Sequence, residues 1–205
     1  MLKIRFFCVI SSLLFVSAGF CQTAEEYLNK GYEKINLQDY TGAIADFDNA
    51  LRIDKKKANA YFVRGNAKIS LEDYKGAIAD FNTLVKKDSN FTMAYYFLGL
   101  SKLKLKLFSE ALIDFNKVLE NEGRNSDALD GRAETRYNLN DFKGCIEDSE
   151  IALTINPEMP DPYFLMGMSY YKLGKTDSAC KNWIKAKELG KEEASEYVSK
   201  YCKQN

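Results

Sequence analysis

Apolar positions along most of the chain recur every three or four residues, the spacing that keeps side chains on one face of an α-helix. Tyr27, Gly31 and Ile35 form one such set, and Ala43, Phe47, Ala50 and Leu51 form the next. Polar pairs suited to a helix start lie between the sets: Gln38-Asp39, Glu72-Asp73, Asn140-Asp141 and Gly174-Lys175. Each stretch therefore predicts two amphipathic helices joined by a short turn. Lys102 to Leu107 alternates as a strand would, but it falls where the other stretches have helix and turn, and the register overrules the local pattern.

That register is strict. Leu37, Leu71, Leu105, Leu139 and Leu173 stand 34 residues apart. Small residues repeat at Gly31, Gly65, Gly99, Ala133 and Gly167, and again at Ala43, Ala77, Ala111, Cys145 and Ala179. Large apolar residues repeat at Tyr27, Tyr61, Tyr95, Leu129 and Tyr163, and at Phe47, Phe81, Phe115 and Trp183, where Ser149 interrupts the series. A further column is Ala50, Leu84, Val118, Ala152 and Ala186. A helical pair that repeats in this way cannot bury its apolar face alone, so the pattern predicts an all-α solenoid of five pairs. Its units are 24–57, 58–91, 92–125, 126–159 and 160–193. The small columns are expected to let helix backbones approach while the aromatic columns fill the space beside them. Residues 194–205 predict a capping helix, with Ala194, Tyr197, Val198 and Tyr201 inward and Glu193, Glu196, Lys200 and Lys203 outward.

Residues 1–21 read differently. Lys3 and Arg5 precede an apolar run of about 15 residues from Phe6 to Phe20, short of the roughly 20 that span a bilayer, and polar Gln22 to Glu26 follows. The pattern is that of a secretory signal peptide. Cleavage after Cys21 or after Gly19 satisfies the preference for small residues, and the first is favoured. Ala18-Gly19-Phe20-Cys21 is similar to a bacterial lipobox, but Phe20 stands where that pattern takes a small residue, so no lipid anchor at Cys21 is expected. No span is expected in the mature chain. A bacterial periplasm or outer envelope is the expected location, ahead of an endoplasmic reticulum lumen.

Charge and composition narrow the function. The 29 basic and 29 acidic residues balance, and loss of Lys3 and Arg5 with the leader leaves 27 against 29, which argues against nucleic acid as a partner. Histidine is absent, so His-based triads, His general bases and imidazole zinc sites are excluded. No Gly-rich phosphate loop, metal-ligand spacing or activated nucleophile stands out. The carboxylates fall mostly at repeated positions, expected to face solvent. No cofactor and no metal are expected, and the chain is not expected to be an enzyme. Asn90-Phe91-Thr92 is a glycosylation sequon that matters only in a eukaryotic host.

Of the cysteines outside the leader, Cys145 occupies a small-residue column and reads as an inert buried thiol. Cys180 and Cys202 lie at similar distances either side of a turn near Leu189-Gly190. Antiparallel helices there would differ in offset by only about 4 to 5 Å, so a disulfide is feasible. It would pin the cap to the stack.

With these columns in place, the chain resembles the tetratricopeptide repeat over 24–193. Ala133 and Ser149 depart from the family pattern, and only Pro157 keeps its closing proline. The resemblance implies a right-handed superhelix whose first helices line a concave groove. In that groove it places Tyr32, Phe62, Asn66, Tyr96, Leu100, Asp127, Asp130, Glu134, Tyr137, Phe164, Met168 and Tyr171. Aromatic residues there suit a peptide or helix of a partner. Asp127, Asp130 and Glu134 share one helix face. They read either as an acceptor for a partner's Lys or Arg, or for a divalent cation, or as a solvated face balanced by Arg132 and Arg136, which is preferred. The family's clamp for chaperone C-termini is missing: its windows hold Leu28 and Tyr32 with Met93 and Phe97, or Phe62 and Asn66 with Asp127 and Gly131. The expected function is a non-enzymatic scaffold that binds a protein segment in its groove. The alternative is a structural subunit of a multiprotein cell-envelope assembly.

Overall fold

The computed structural model describes residues 22–202; the predicted leader, with Cys8 and Cys21, and Lys203 to Asn205 lie outside them. Five helical pairs follow one another: α1 (Ala24–Asn36) with α2 (Tyr40–Ile53), α3 (Ala58–Ser70) with α4 (Tyr74–Lys87), α5 (Thr92–Lys104) with α6 (Phe108–Asn121), α7 (Ser126–Asn138) with α8 (Phe142–Ile155), and α9 (Pro160–Lys172) with α10 (Thr176–Glu188). A last helix, α11 (Ala194–Tyr201), closes the stack. Among the described residues there is no strand, and no helix is long and apolar enough to cross a membrane. The architecture is a right-handed α-solenoid. First helices of successive pairs touch (α3 with α5, α5 with α7, α7 with α9) and the second helices make no comparable contact, so the first helices lie on the inner side of the curve.

One turn is built over and over. After each first helix the chain enters the left-handed region at Gln38, Glu72, Lys106, Asn140 and Gly174. The Gln38 N–H donates to the Ile35 carbonyl and the Asp39 N–H to the Lys34 carbonyl, each at 2.9 Å, the pairing that satisfies the last orphan carbonyls of a helix. In the first, second and fourth repeats an aspartate then caps the second helix: Asp39, Asp73 and Asp141 accept from the N–H groups of Gly42, Gly76 and Gly144, each at 2.9 Å. Lys102 to Leu107 follows the same course, with α5 ending at Lys104 and Leu107 preceding α6. The five leucines of the strict column are all helix C-caps. They are not core residues, and Leu37 is 79% exposed.

The small column works differently from the expectation. A Cβ on Gly65 would lie 2.7 Å from the Phe81 ring, and one on Gly99 2.9 Å from the Phe115 ring; Gly31 and Gly167 meet Phe47 and Trp183 in the same way. Glycine here makes room for a ring of the second helix rather than for its backbone. The four rings are fully buried. Burial of each contributes roughly 1.5 to 3 kcal/mol. In the fourth repeat the ring is replaced by Ser149 and the glycine by Ala133, both wholly buried at the two positions that pair a glycine with a ring elsewhere.

The repeated carboxylates are also not solvated. Asp46, Asp80, Asp114 and Asp148 are buried, one in each of the first four second helices. Each meets a cation twelve residues earlier: Lys34 at 2.6 Å, Lys68 at 2.8 Å, Lys102 at 2.7 Å and Arg136 at 2.9 Å. In the second and fourth repeats a further arginine joins. Arg64 grips Asp80 and reaches back to Asp48, and Arg132 grips Asp148 and reaches back to Asn116 at 2.8 Å. Burial pushes Asp114, with only Lys102 as its cation, above the ordinary carboxylate range. The fifth repeat has Tyr170 and Asn182 at the corresponding positions and no such pair.

The cap ends sooner than 194–205: α11 stops at Tyr201 and Cys202 turns to extended backbone. It continues the register as a truncated sixth first helix, with Tyr197 in the Tyr163 column and Tyr201 in the Gly167 column. Among the described residues no later helix supplies a ring at that place, which is free for a large side chain. Tyr197 and Tyr201 instead lie 5.0 and 5.8 Å from the Trp183 ring. Cys180 and Cys202 are joined as a disulfide, their Cα atoms 5.5 Å apart. Cys145 is free and buried, and burial pushes its thiol up to about 11, out of the reactive range.

Candidate binding groove

Among the described residues two hollows adjoin the first helices, the smaller shared with the end of α6 at Val118 and Glu122. The smaller, of about 80 Å³, is lined by Met93, Tyr96 and Asp127 with Thr92, Glu122 and Asn125. The larger, of about 430 Å³, lies between α7 and α9 and is walled by Tyr137, Phe164 and Met168, with the carboxylates of Asp130, Glu134 and Asp161 and the amines of Lys104 and Lys191. These two hollows bring together seven of the twelve groove residues that the resemblance implies.

The remaining five divide. Tyr32 and Tyr171 are partly exposed at the two ends, each beside a ring of the core: Tyr32 is 6.0 Å from Phe47 and Tyr171 5.7 Å from Trp183. Asn66 and Leu100 are half-buried. Phe62 belongs to a ring cluster, 6.0 Å from Phe81, 5.6 Å from Phe91 and 5.7 Å from Phe97. Its removal would open a hole in the seam between repeats, so it is a poor probe of binding. Tyr96 is 6.2 Å from Phe115 but retains a face on the smaller hollow.

Asp127 is exposed, as on the solvated face that the sequence favours, but Asp130 and Glu134 are partly buried and not balanced by Arg132 and Arg136. Arg132 and Arg136 turn outward to Asp148, Asn116 and the Gly144 carbonyl and do not reach the groove. Asp130 is therefore uncompensated. Its Oδ1 is shut off from solvent and has no hydrogen-bond partner. Burial first, then the charges of Asp161, Glu134 and Asp127, push its carboxyl up to about 7, against a smaller opposing effect of Lys191. Glu134 is raised by burial, with Lys104 working against it. Tyr96, across on α5, is raised by burial and then by Asp127 and Asp130.

Lys191 has no place in the helical periodicity, and sequence reasoning missed it. Gly190, with φ of 93°, closes α10 and lets the Lys191 N–H reach the Ala186 carbonyl at 2.9 Å. That turn aims the side chain across to α9, where Nζ meets Asp161 at 2.6 Å and lies 5.7 Å from the centre of the Phe164 ring. Burial alone would lower the Lys191 ammonium, but the pair with Asp161 outweighs it. Among the described residues no group of three Asp, Glu, His or Cys side chains is placed to hold a metal ion.

Family models support the fold. One described as tetratricopeptide repeat matches residues 28–90 and 62–128, and a second of the same description matches 163–188. A comparison with curated protein sequences finds no match. Among solved structures, MamA (residues 41 to the end) from Desulfovibrio magneticus RS-1 is 22% identical, with a TM-score of 0.77 over 81% of this chain and 94% of that one. YrrB, described as a TPR protein with an unusual peptide-binding site, is 21% identical, with a TM-score of 0.74 over 86% and 92%. TTC0263 of Thermus thermophilus, a thermophilic TPR protein, is 17% identical, with a TM-score of 0.64 over 86% and 97%. At these identities the likeness concerns the fold.

Proposed function

This chain belongs to the tetratricopeptide repeat family and is a protein-interaction scaffold, and we propose that it holds an extended segment of a protein partner in the trough of its first helices. The observation that carries the reading is the pair of hollows, one beside Met93 and Tyr96 and one beside Phe164 and Met168, whose aromatic walls the chain's own side chains cover only in part. Rings with polar edges grip an extended backbone while staying hydrated. The peptide-binding site named for YrrB lends support by analogy of fold. The leader-like residues 1–21 and the Cys180–Cys202 disulfide support a site of action outside the cytoplasm, in a bacterial periplasm or outer envelope.

A second reading, a structural subunit of an envelope assembly, draws on the apolar residues exposed on second helices, above all Ile113 at 67% and Ile151. Photo-crosslinking from the producing cell separates the two. A crosslinking residue at Met93, itself 52% exposed in the trough, should capture one partner segment repeatedly, and the same residue at Ile113 should not. Capture from Ile113 alone would hand the function to the outer face.

A further inference from the structure

We infer that the pocket between α7 and α9 receives a lysine or arginine side chain of the bound segment. This rests on the trough being the binding surface and says what chemistry the partner must bring.

The position held by Asp130 is filled in the other repeats by Leu28, Phe62, Tyr96 and Phe164, and that of Glu134 by Tyr32, Asn66, Leu100 and Met168. Only in the fourth repeat do both become carboxylates. Neither takes part in an ion pair among the described residues, while every arginine nearby is committed to the opposite side of α7. Asp130 Oδ1 is closed from solvent without a partner, an arrangement that works against folding, while the residue as a whole is only half-buried and lines the pocket. Carboxylates held at such a cost are found where they act on something else.

The pocket itself shows how it takes an ammonium. Lys191 enters from the rim, pairs with Asp161 and lies over the Phe164 ring. A second cation from a partner would find Asp130 and Glu134 without an ion-pair partner, Lys104 and Lys191 acting on them only from a distance, with Tyr137 and Met168 to flank its alkyl stem. The same walls disfavour a bare divalent ion, which needs several oxygens converging at one point. The charge of the pocket, the aromatic and thioether sides and the depth together select a long basic side chain rather than a metal or an acidic group.

Selection of random decapeptides displayed on phage against the purified protein tests this. Peptides enriched on the wild type should share one Lys or Arg at a fixed place in an otherwise apolar motif. On Asp130→Asn/Glu134→Gln that preference should disappear, and the selected basic peptides should bind about tenfold more weakly, in the range of one charge-assisted hydrogen bond. Lys191→Met, which removes the cation paired with Asp161 at the rim, should tighten the same peptides several-fold. Thermal melting of both variants checks that they fold. Enriched peptides without a basic residue, or basic peptides that bind the double variant equally well, would overturn the inference and leave the trough reading standing. Enrichment of acidic peptides only when calcium chloride is present would assign the pocket to a metal and overturn it too. No enrichment at all would overturn both.

Discussion

The second and fourth repeats share an outer frame and differ inside it. In each, two cations seven and eleven places into the first helix clamp a buried aspartate of the second: Arg64 and Lys68 on Asp80, Arg132 and Arg136 on Asp148. In each, the extra arginine reaches back to the preceding repeat, at Asp48 or Asn116. Yet one repeat packs Phe81 against Gly65 and has half-buried Phe62 and Asn66 at the trough positions, whereas the other has buried Ser149 and Ala133 in place of that pair and lines a hollow with Asp130 and Glu134. The frame fixes how pairs stack, which frees the trough to vary in charge.

If the frame carries the stacking, removing its aspartate should cost most. Asp80→Ala and Asp148→Ala each leave two cations at a partly buried site without the aspartate that clamps them, Arg64 keeping only the more exposed Asp48, and each should lose about 3 to 5 kcal/mol in urea unfolding followed by circular dichroism. A loss below about 1 kcal/mol in either, the range of an exposed pair, would break the equivalence of the two repeats.

The next effect has the opposite sign and belongs to the fourth repeat alone. Asp130 has its carboxyl raised to about 7, above the unfolded value, so its contribution to stability is full below about pH 4 and is lost as pH rises through 7. Replacing it with leucine, the residue of the first repeat at this place, removes that loss. Asp130→Leu should be more stable than the wild type by about 2 to 4 kcal/mol at pH 8, with most of the gain gone at about pH 4. A constant difference across that window would show that Asp130 is not held in a desolvated place.

Much of this was legible in the chain, though not always for the reason that made it visible. The most regular column, the five leucines, proves to be a set of helix caps at the surface rather than in the core; a period reports equivalence, and equivalence does not require burial. The aspartate column and its cations share the same 34-residue step and were equally open to counting, but charged residues read as solvated unless their partners on the next helix are known. Ala133 and Ser149 look like separate lapses in sequence because the pairing between the two columns exists only across the helix interface. Lys191 could not be found from any period. Its direction comes from the left-handed turn at Gly190.

That interface pairing gives a double-mutant test of intermediate size. Ser149→Phe alone drives a ring toward the Ala133 methyl, and overpacking of this kind costs typically about 1 to 3 kcal/mol. Adding Ala133→Gly recreates the Gly65–Phe81 arrangement of the second repeat and should recover most of the loss, a coupling of about 2 kcal/mol. Additive effects would mean that the two columns vary independently and that the fourth repeat fills the ring's place with other atoms.

The smallest effect sharpens the comparison at the turn. Glu72 and Asn140 occupy the same left-handed position, with φ of 58° and 63°. A long side chain there is disfavoured by the approach of its Cβ to the following carbonyl, and asparagine tolerates the region through local hydrogen bonding, whereas glycine has no Cβ to clash. Glu72→Gly should therefore raise stability, but the added freedom of glycine in the unfolded chain offsets part of the relief, leaving a gain of about 0.5 to 1 kcal/mol. Asn140→Gly starts from a residue already suited to the turn and should gain less. Equal gains at the two sites would mean that the frame, rather than the turn residue, sets the backbone there, since both turns are closed by the same pair of hydrogen bonds to the last carbonyls of their helices.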